Sequence, residues 1–72
     1  MLLHCEGGEF DGRDVQVRED DALVPKVAFR VADIDPSGMH SQDYVLGVAG
    51  AELVLRPHLR HTPRAMRVVV PD

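Results

Sequence analysis

Asp33-Ile34-Asp35-Pro36-Ser37-Gly38 is the stretch of this sequence whose residue types and spacing most resemble a working site. Oxygen ligands at alternate positions run into a glycine, as at the opening of a calcium loop. The twelfth position of such a loop needs a bidentate Glu, and here it is Tyr44, so a Ca²⁺ ion would be held weakly. The plainer reading is a turn, with Asp35 first, Pro36 second and Gly38 fourth, the preferences of type I. Histidines form the second group: His4 beside Cys5, His40, and His58 with His61. Imidazole and thiolate bind Zn²⁺, and a separation of three puts two rings on one face of a helical turn. His4 and Cys5, adjacent on a strand, would point to opposite faces. Neither group completes the ligand set of a structural metal site, so no metal is assigned and weak Ca²⁺ or Zn²⁺ binding stands only as an alternative.

Nucleophilic catalysis needs a nucleophile held by a base that a third group orients. Cys5, Ser37 or Ser41 with a His and an Asp supply the types, but no Gly-x-Ser-x-Gly selects one set. Gly7-Gly8 lacks the Gly-Lys-Ser/Thr ending of a phosphate loop, and no other cofactor motif is present. Pockets for small molecules typically enclose roughly 300 Å³ or more, which a chain of 72 residues has little material to build. The expectation is a protein that is not an enzyme, with no catalytic residues and no cofactor.

These residues must be positioned by strands, because period-two alternation dominates and no stretch of ten residues keeps apolar side chains at helical spacing. Strands are expected over Leu2 to Cys5, Arg13 to Arg18, Val24 to Ala32, Gln42 to Val48, Ala51 to Arg56 and Met66 to Val70. Val27, Phe29 and Val31 share one face of the third, and Tyr44, Leu46 and Val48 share one face of the fourth. Leu53-Val54-Leu55 is a continuous apolar run, expected to be covered on both faces. Glu19-Asp20-Asp21 reads as a solvated connection, and residues 57–62, bracketed by prolines, leave room for one helical turn. Cys5, alternating with Leu3, reads as a small buried hydrophobe. The class is all-β: a small barrel or rolled antiparallel sheet of about six short strands in a single domain over residues 1–72.

The formal charge is −4, with the acidic residues gathered in the first third and Arg56, Arg60, Arg64 and Arg67 near the end. That basic segment holds no Phe, Tyr or Trp on which a base could stack, so a protein surface is favoured over nucleic acid. One cysteine cannot form an internal disulfide, and a chain this short seldom reaches more than about 3 to 5 kcal/mol of stability from its own core. A partner subunit is the remaining staple, and a homo-oligomer is one form of it. No apolar run is long enough to span a bilayer and the start has no basic-then-apolar signal, so the cytoplasm is expected, without membrane contact.

Gly7-Gly8-Glu9-Phe10-Asp11-Gly12-Arg13-Asp14-Val15-Gln16-Val17, followed later by Tyr44-Val45-Leu46, resembles a loose group of small β proteins encoded by phages and prophages of actinobacteria. Such proteins often begin with a Gly-Gly-x-x-Asp-Gly loop entering a Val-x-Val strand; the position after Gly-Gly is frequently Pro, where this chain has Glu9. The group has no shared catalytic residues to carry over. The resemblance implies an accessory factor that docks on a host protein in the host cytoplasm, with a virion or self-assembling component as the alternative. Phe10, at the tip of the loop, and Arg56, Arg60 and Arg64 are the residues expected to meet a partner.

Overall fold

A computed structural model describes residues 1–22, 27–58 and 65–71. Six strands form one sheet: β1 (Leu2–Cys5), β2 (Asp14–Gln16), β3 (Val27–Asp35), β4 (Gly38–Ala49), β5 (Glu52–Pro57) and β6 (Ala65–Val69), in the order β2-β1-β5-β4-β3-β6. A single helical turn, α1 (Glu19–Ala22), follows β2. The sheet curls into a half-barrel until its two ends meet, Val15 of β2 forming an antiparallel bridge with Pro71 just beyond β6. Among the described residues no helix is long and apolar enough to cross a membrane.

The all-β expectation holds, but the sheet is mixed rather than antiparallel. β1 runs parallel to β5, with Cys5 opposite Leu55, and β3 runs parallel to β6, with Val31 opposite Val69. Alternation within a strand says which side chains share a face and nothing about which strand lies beside it, so both parallel pairs were invisible in the pattern. The turn of the first antiparallel hairpin, at Asp35 to Gly38, was visible. Asp35 pairs with Gly38 across Pro36-Ser37, and Ala49 with Glu52 across Gly50-Ala51, where Gly50 takes a φ of +64°. β3 and β4 both run further toward their shared turn than the pattern implied, so Asp33 to Asp35 end a strand instead of opening a ligand loop. Glu19-Asp20-Asp21 is the first turn of α1, where carboxylates suit the positive end of the helix dipole, and not an extended connection. The start of the expected third strand, Val24 to Lys26, and most of the expected helical turn over 57–62 lie outside the described residues; Pro57 itself ends β5.

The core fills the concave side. Leu3 and Cys5, Val15, Val27, Phe29 and Val31, Tyr44 and Leu55 alternate inward from five strands, joined by Phe10, Val17 and Ala22 from the connections. Leu46 and Val69 complete its margin. Val54 is also buried, on the opposite side from Leu55, so the run Leu53-Val54-Leu55 is covered on both faces at its last two residues. Cys5 is fully enclosed, and burial, with the charge of Asp14 second, pushes its thiol above the usual range. Alkylation in native buffer should therefore leave Cys5 unmodified over a period that labels it completely in denaturant, which mass spectrometry of the two samples would check.

Candidate functional site

Three side chains at period two on the inner face of β4 reach across to the loop between β1 and β2. Tyr44 donates its phenol to the Gly7 carbonyl at 2.7 Å and accepts the Phe10 amide at 3.0 Å. Gln42 accepts the Glu9 amide at 2.6 Å through Oε1, and His40 places Nδ1 3.1 Å from Glu9 Oε1. The loop is thus stitched to the sheet residue by residue. Gly7 and Gly8, both at positive φ, make the path possible, and Gly8 lies so close that an added Cβ would stand 2.7 Å from Gln42 Oε1, 2.8 Å from Tyr44 Oη and 2.9 Å from Pro57 Cγ. Phe10 follows from this arrangement. Its amide is held by Tyr44 and its ring is only 4 % exposed, so it is a core residue and not the partner-facing tip expected from the sequence. The reason is that an aromatic ring beside two glycines gains more from filling the open side of a small barrel than from standing in water.

The outer end of this row is a cleft of about 220 Å³ lined by Glu9, Phe10, Arg13, Asp33, Asp35, Ser37 and His40. Asp35, the last residue of β3, accepts both the Ser37 amide at 2.8 Å and the Ser37 hydroxyl at 2.6 Å, closing the turn. Those two bonds hold the Asp35 carboxyl below its usual range, with the nearby His40 adding to the effect. His40 Nε2 lies 2.9 Å from Ser37 Oγ and 3.3 Å from Asp35. Arg13 approaches Asp33 at 3.7 Å. Because the folded carboxyl sits below its unfolded value, its contribution is present at neutral pH and is lost as the pH falls through the folded value. Asp35→Asn should therefore show a smaller drop in urea midpoint than the native chain between about pH 5 and pH 2.

Among the described residues no three His, Cys, Asp or Glu side chains converge as metal ligands. Asp33 Oδ1 accepts the amide of Ile34, at 2.9 Å, and Asp35 is occupied by Ser37, so the two carboxylates serve the hairpin and do not point at a common ion. His4 binds Asp14 at 2.8 Å on the outer side while Cys5 points inward, the opposed placement that strand geometry requires. His58 donates its amide to the Asp43 carbonyl, and His61 lies outside the described residues.

The outer face of β3, β4 and β6 has a different character. Ile34, Met39, Val68 and Val70 are 74 %, 69 %, 70 % and 66 % exposed. Ile34 and Met39 are paired across the β3–β4 hairpin, Val68 is paired with Arg30, and Val70 follows β6 directly. Ala32, Asp33, Ile34, Met39 and Val70 line a shallow groove of about 310 Å³ here. Arg30 and Asp43, facing each other across the same two strands, form a two-bond ion pair at 2.8 and 3.3 Å beside it. Of the residues expected to form a partner surface, Phe10 is buried and only Arg56 is described as exposed. Arg56 is exposed on β5, where its stem covers Gly47 and its guanidinium meets the Val48 carbonyl at 3.1 Å and Glu6 at 3.5 Å. Arg60 and Arg64 lie outside the described residues. The apolar outer face was missed because Ile34 and Met39 flank a polar turn, and only the hairpin register with the parallel placement of β6 brings them beside Val68 and Val70.

No family model, no curated protein and no solved structure matches this chain.

Proposed function

We propose that this protein is a small binding domain that acts by docking on another protein through the outer face of β3, β4 and β6. The observation that carries the reading is the cluster of Ile34, Met39, Val68 and Val70, each about two-thirds exposed, on one side of a sheet whose other side is packed. A monomeric surface normally scatters such side chains; gathered, they mark a contact. The partner that fits is a protein presenting an apolar patch with a neutral or basic rim, because the chain carries a formal charge of −4 and like-charged surfaces repel on approach. With the resemblance of the Gly7 to Val17 segment to phage-encoded β proteins, this supports an accessory factor acting on a host protein in the cytoplasm.

A second reading is a self-assembling component in which the same face meets a second copy. It is favoured by size alone, since 72 residues without a disulfide gain from an added interface. Sedimentation velocity over a wide concentration range separates the two. A monomer at all concentrations, together with a protein recovered on the native chain and lost on both Ile34→Asp and Val68→Asp, supports docking on another protein. A stable oligomer that the same substitutions dissociate supports self-assembly. Both substitutions fall on exposed positions and should leave the melting transition within about 0.5 kcal/mol of the native value.

A further inference from the structure

We propose that Ser37, His40 and Glu9 form an acyl-transfer site that hydrolyses small activated carboxylic esters in the cleft between the β1–β2 loop and the β3–β4 turn. Ser37 Oγ lies 2.9 Å from His40 Nε2, and His40 Nδ1 lies 3.1 Å from Glu9 Oε1. A nucleophile in reach of a base, and that base in reach of an orienting acid, is the arrangement nucleophilic catalysis requires. Carboxylates flank both ring nitrogens and can only accept; Glu9 is the nearer, at 3.1 Å from Nδ1 against 3.3 Å for Asp35 from Nε2, and Asp35 Oδ1 already takes two Ser37 bonds, so the neutral ring keeps its proton on Nδ1 and its Nε2 lone pair toward Ser37. At rest the Ser37 hydroxyl donates to Asp35 at 2.6 Å; rotation about the Cβ–Oγ bond carries the proton to Nε2. Asp35, 3.3 Å from Nε2, then faces the imidazolium that forms, so two carboxylates stabilise the charge. The other charged groups of the cleft are Asp33 and Arg13, which pair with each other at 3.7 Å.

Ser37 Oγ attacks the ester carbonyl carbon while its proton passes to His40 Nε2. The intermediate collapses by breaking the bond to the leaving oxygen, which takes that proton and departs as the alcohol. Water then attacks the acyl-serine, giving its proton to Nε2; collapse releases the carboxylic acid and returns the proton to Ser37. His40 and Ser37 are catalytic residues in this scheme and Glu9 is a positioning residue.

The test uses the native full chain with p-nitrophenyl acetate at mildly alkaline pH. Turnover with an acetyl group on Ser37, found by peptide mass spectrometry after acid quench, is the expected result. Ser37→Ala and His40→Gln should each lower turnover by about 100-fold, the scale of general-base assistance, while Ser41→Ala on the exposed part of β4 leaves it unchanged. Glu9→Gln should lower it about tenfold and mix the two His40 tautomers in the ¹⁵N spectrum, a change that loss of packing alone would not give. Turnover unaffected by Ser37→Ala, or acetylation confined to other groups, would overturn the assignment. So would a single unchanged His40 tautomer in Glu9→Gln.

Discussion

Phe29→Ala is expected to leave the chain unfolded at room temperature. Phe29 is fully buried at the centre of the concave face, flanked along β3 by Val27 and Val31 and paired with Tyr44 across β4. Truncating a buried Phe costs about 3 to 5 kcal/mol through lost transfer energy and the cavity left behind. A single core in a chain of this length supplies about the same amount in total, and one cysteine leaves no internal disulfide to make up the difference. Far-ultraviolet circular dichroism and urea titration check it. A cooperative transition retained within about 1 kcal/mol of the native one would show that the stability resides elsewhere, in an interface or in residues outside those described.

Gly8→Ala should be the next most damaging change, by about 2 to 4 kcal/mol. At a φ of +73° an alanine pays the left-handed penalty, and its methyl would sit on Tyr44 Oη, Gln42 Oε1 and Pro57 Cγ at distances that real Cβ atoms do not adopt. The Gln42 end can swing away, whereas Tyr44 Oη is held between the Gly7 carbonyl and the Phe10 amide. Displacing it leaves the buried Phe10 amide and the part-buried Gly7 carbonyl without their partner. Amide exchange of Phe10 should accelerate along with the loss of melting temperature. Gly12→Ala serves as the comparison, since Gly12 shares the positive φ, at +83°, but has open space around it, so only the backbone part of the cost should remain.

Much of the strand content was legible because each inner face is written at period two: Leu3 and Cys5, Val27, Phe29 and Val31, Tyr44 and Leu46. The turn of the first hairpin was legible from its residues, Asp35-Pro36-Ser37-Gly38. What the pattern could not convey is non-local. The neighbours of β1 and β6 depend on pairings between distant segments, and the placement of Phe10 depends on a phenol 34 positions away. The row His40, Gln42, Tyr44 was present as an alternation of polar groups with hydrogen-bonding ends, a signal that these positions reach something polar. Its target, the glycine-bearing loop, required the curl of the sheet. Ser37 and His40 were nominated by type, and three residues apart they meet because Gly38 closes the hairpin; Glu9 had no local signal at all.

The claim that the outer face of β3, β4 and β6 is where this protein meets its partner is tested most directly by site-specific photo-crosslinking. A photoreactive side chain is placed at position 34, at position 68 and, for comparison, at position 48, where Val48 is also exposed, at 60 %, but lies at the turn end of the β4–β5 hairpin. In cells that express the chain, irradiation should give one discrete adduct with another protein from positions 34 and 68 and none from position 48. Adducts from position 48 alone, or none from 34 and 68, would contradict the assignment of that face.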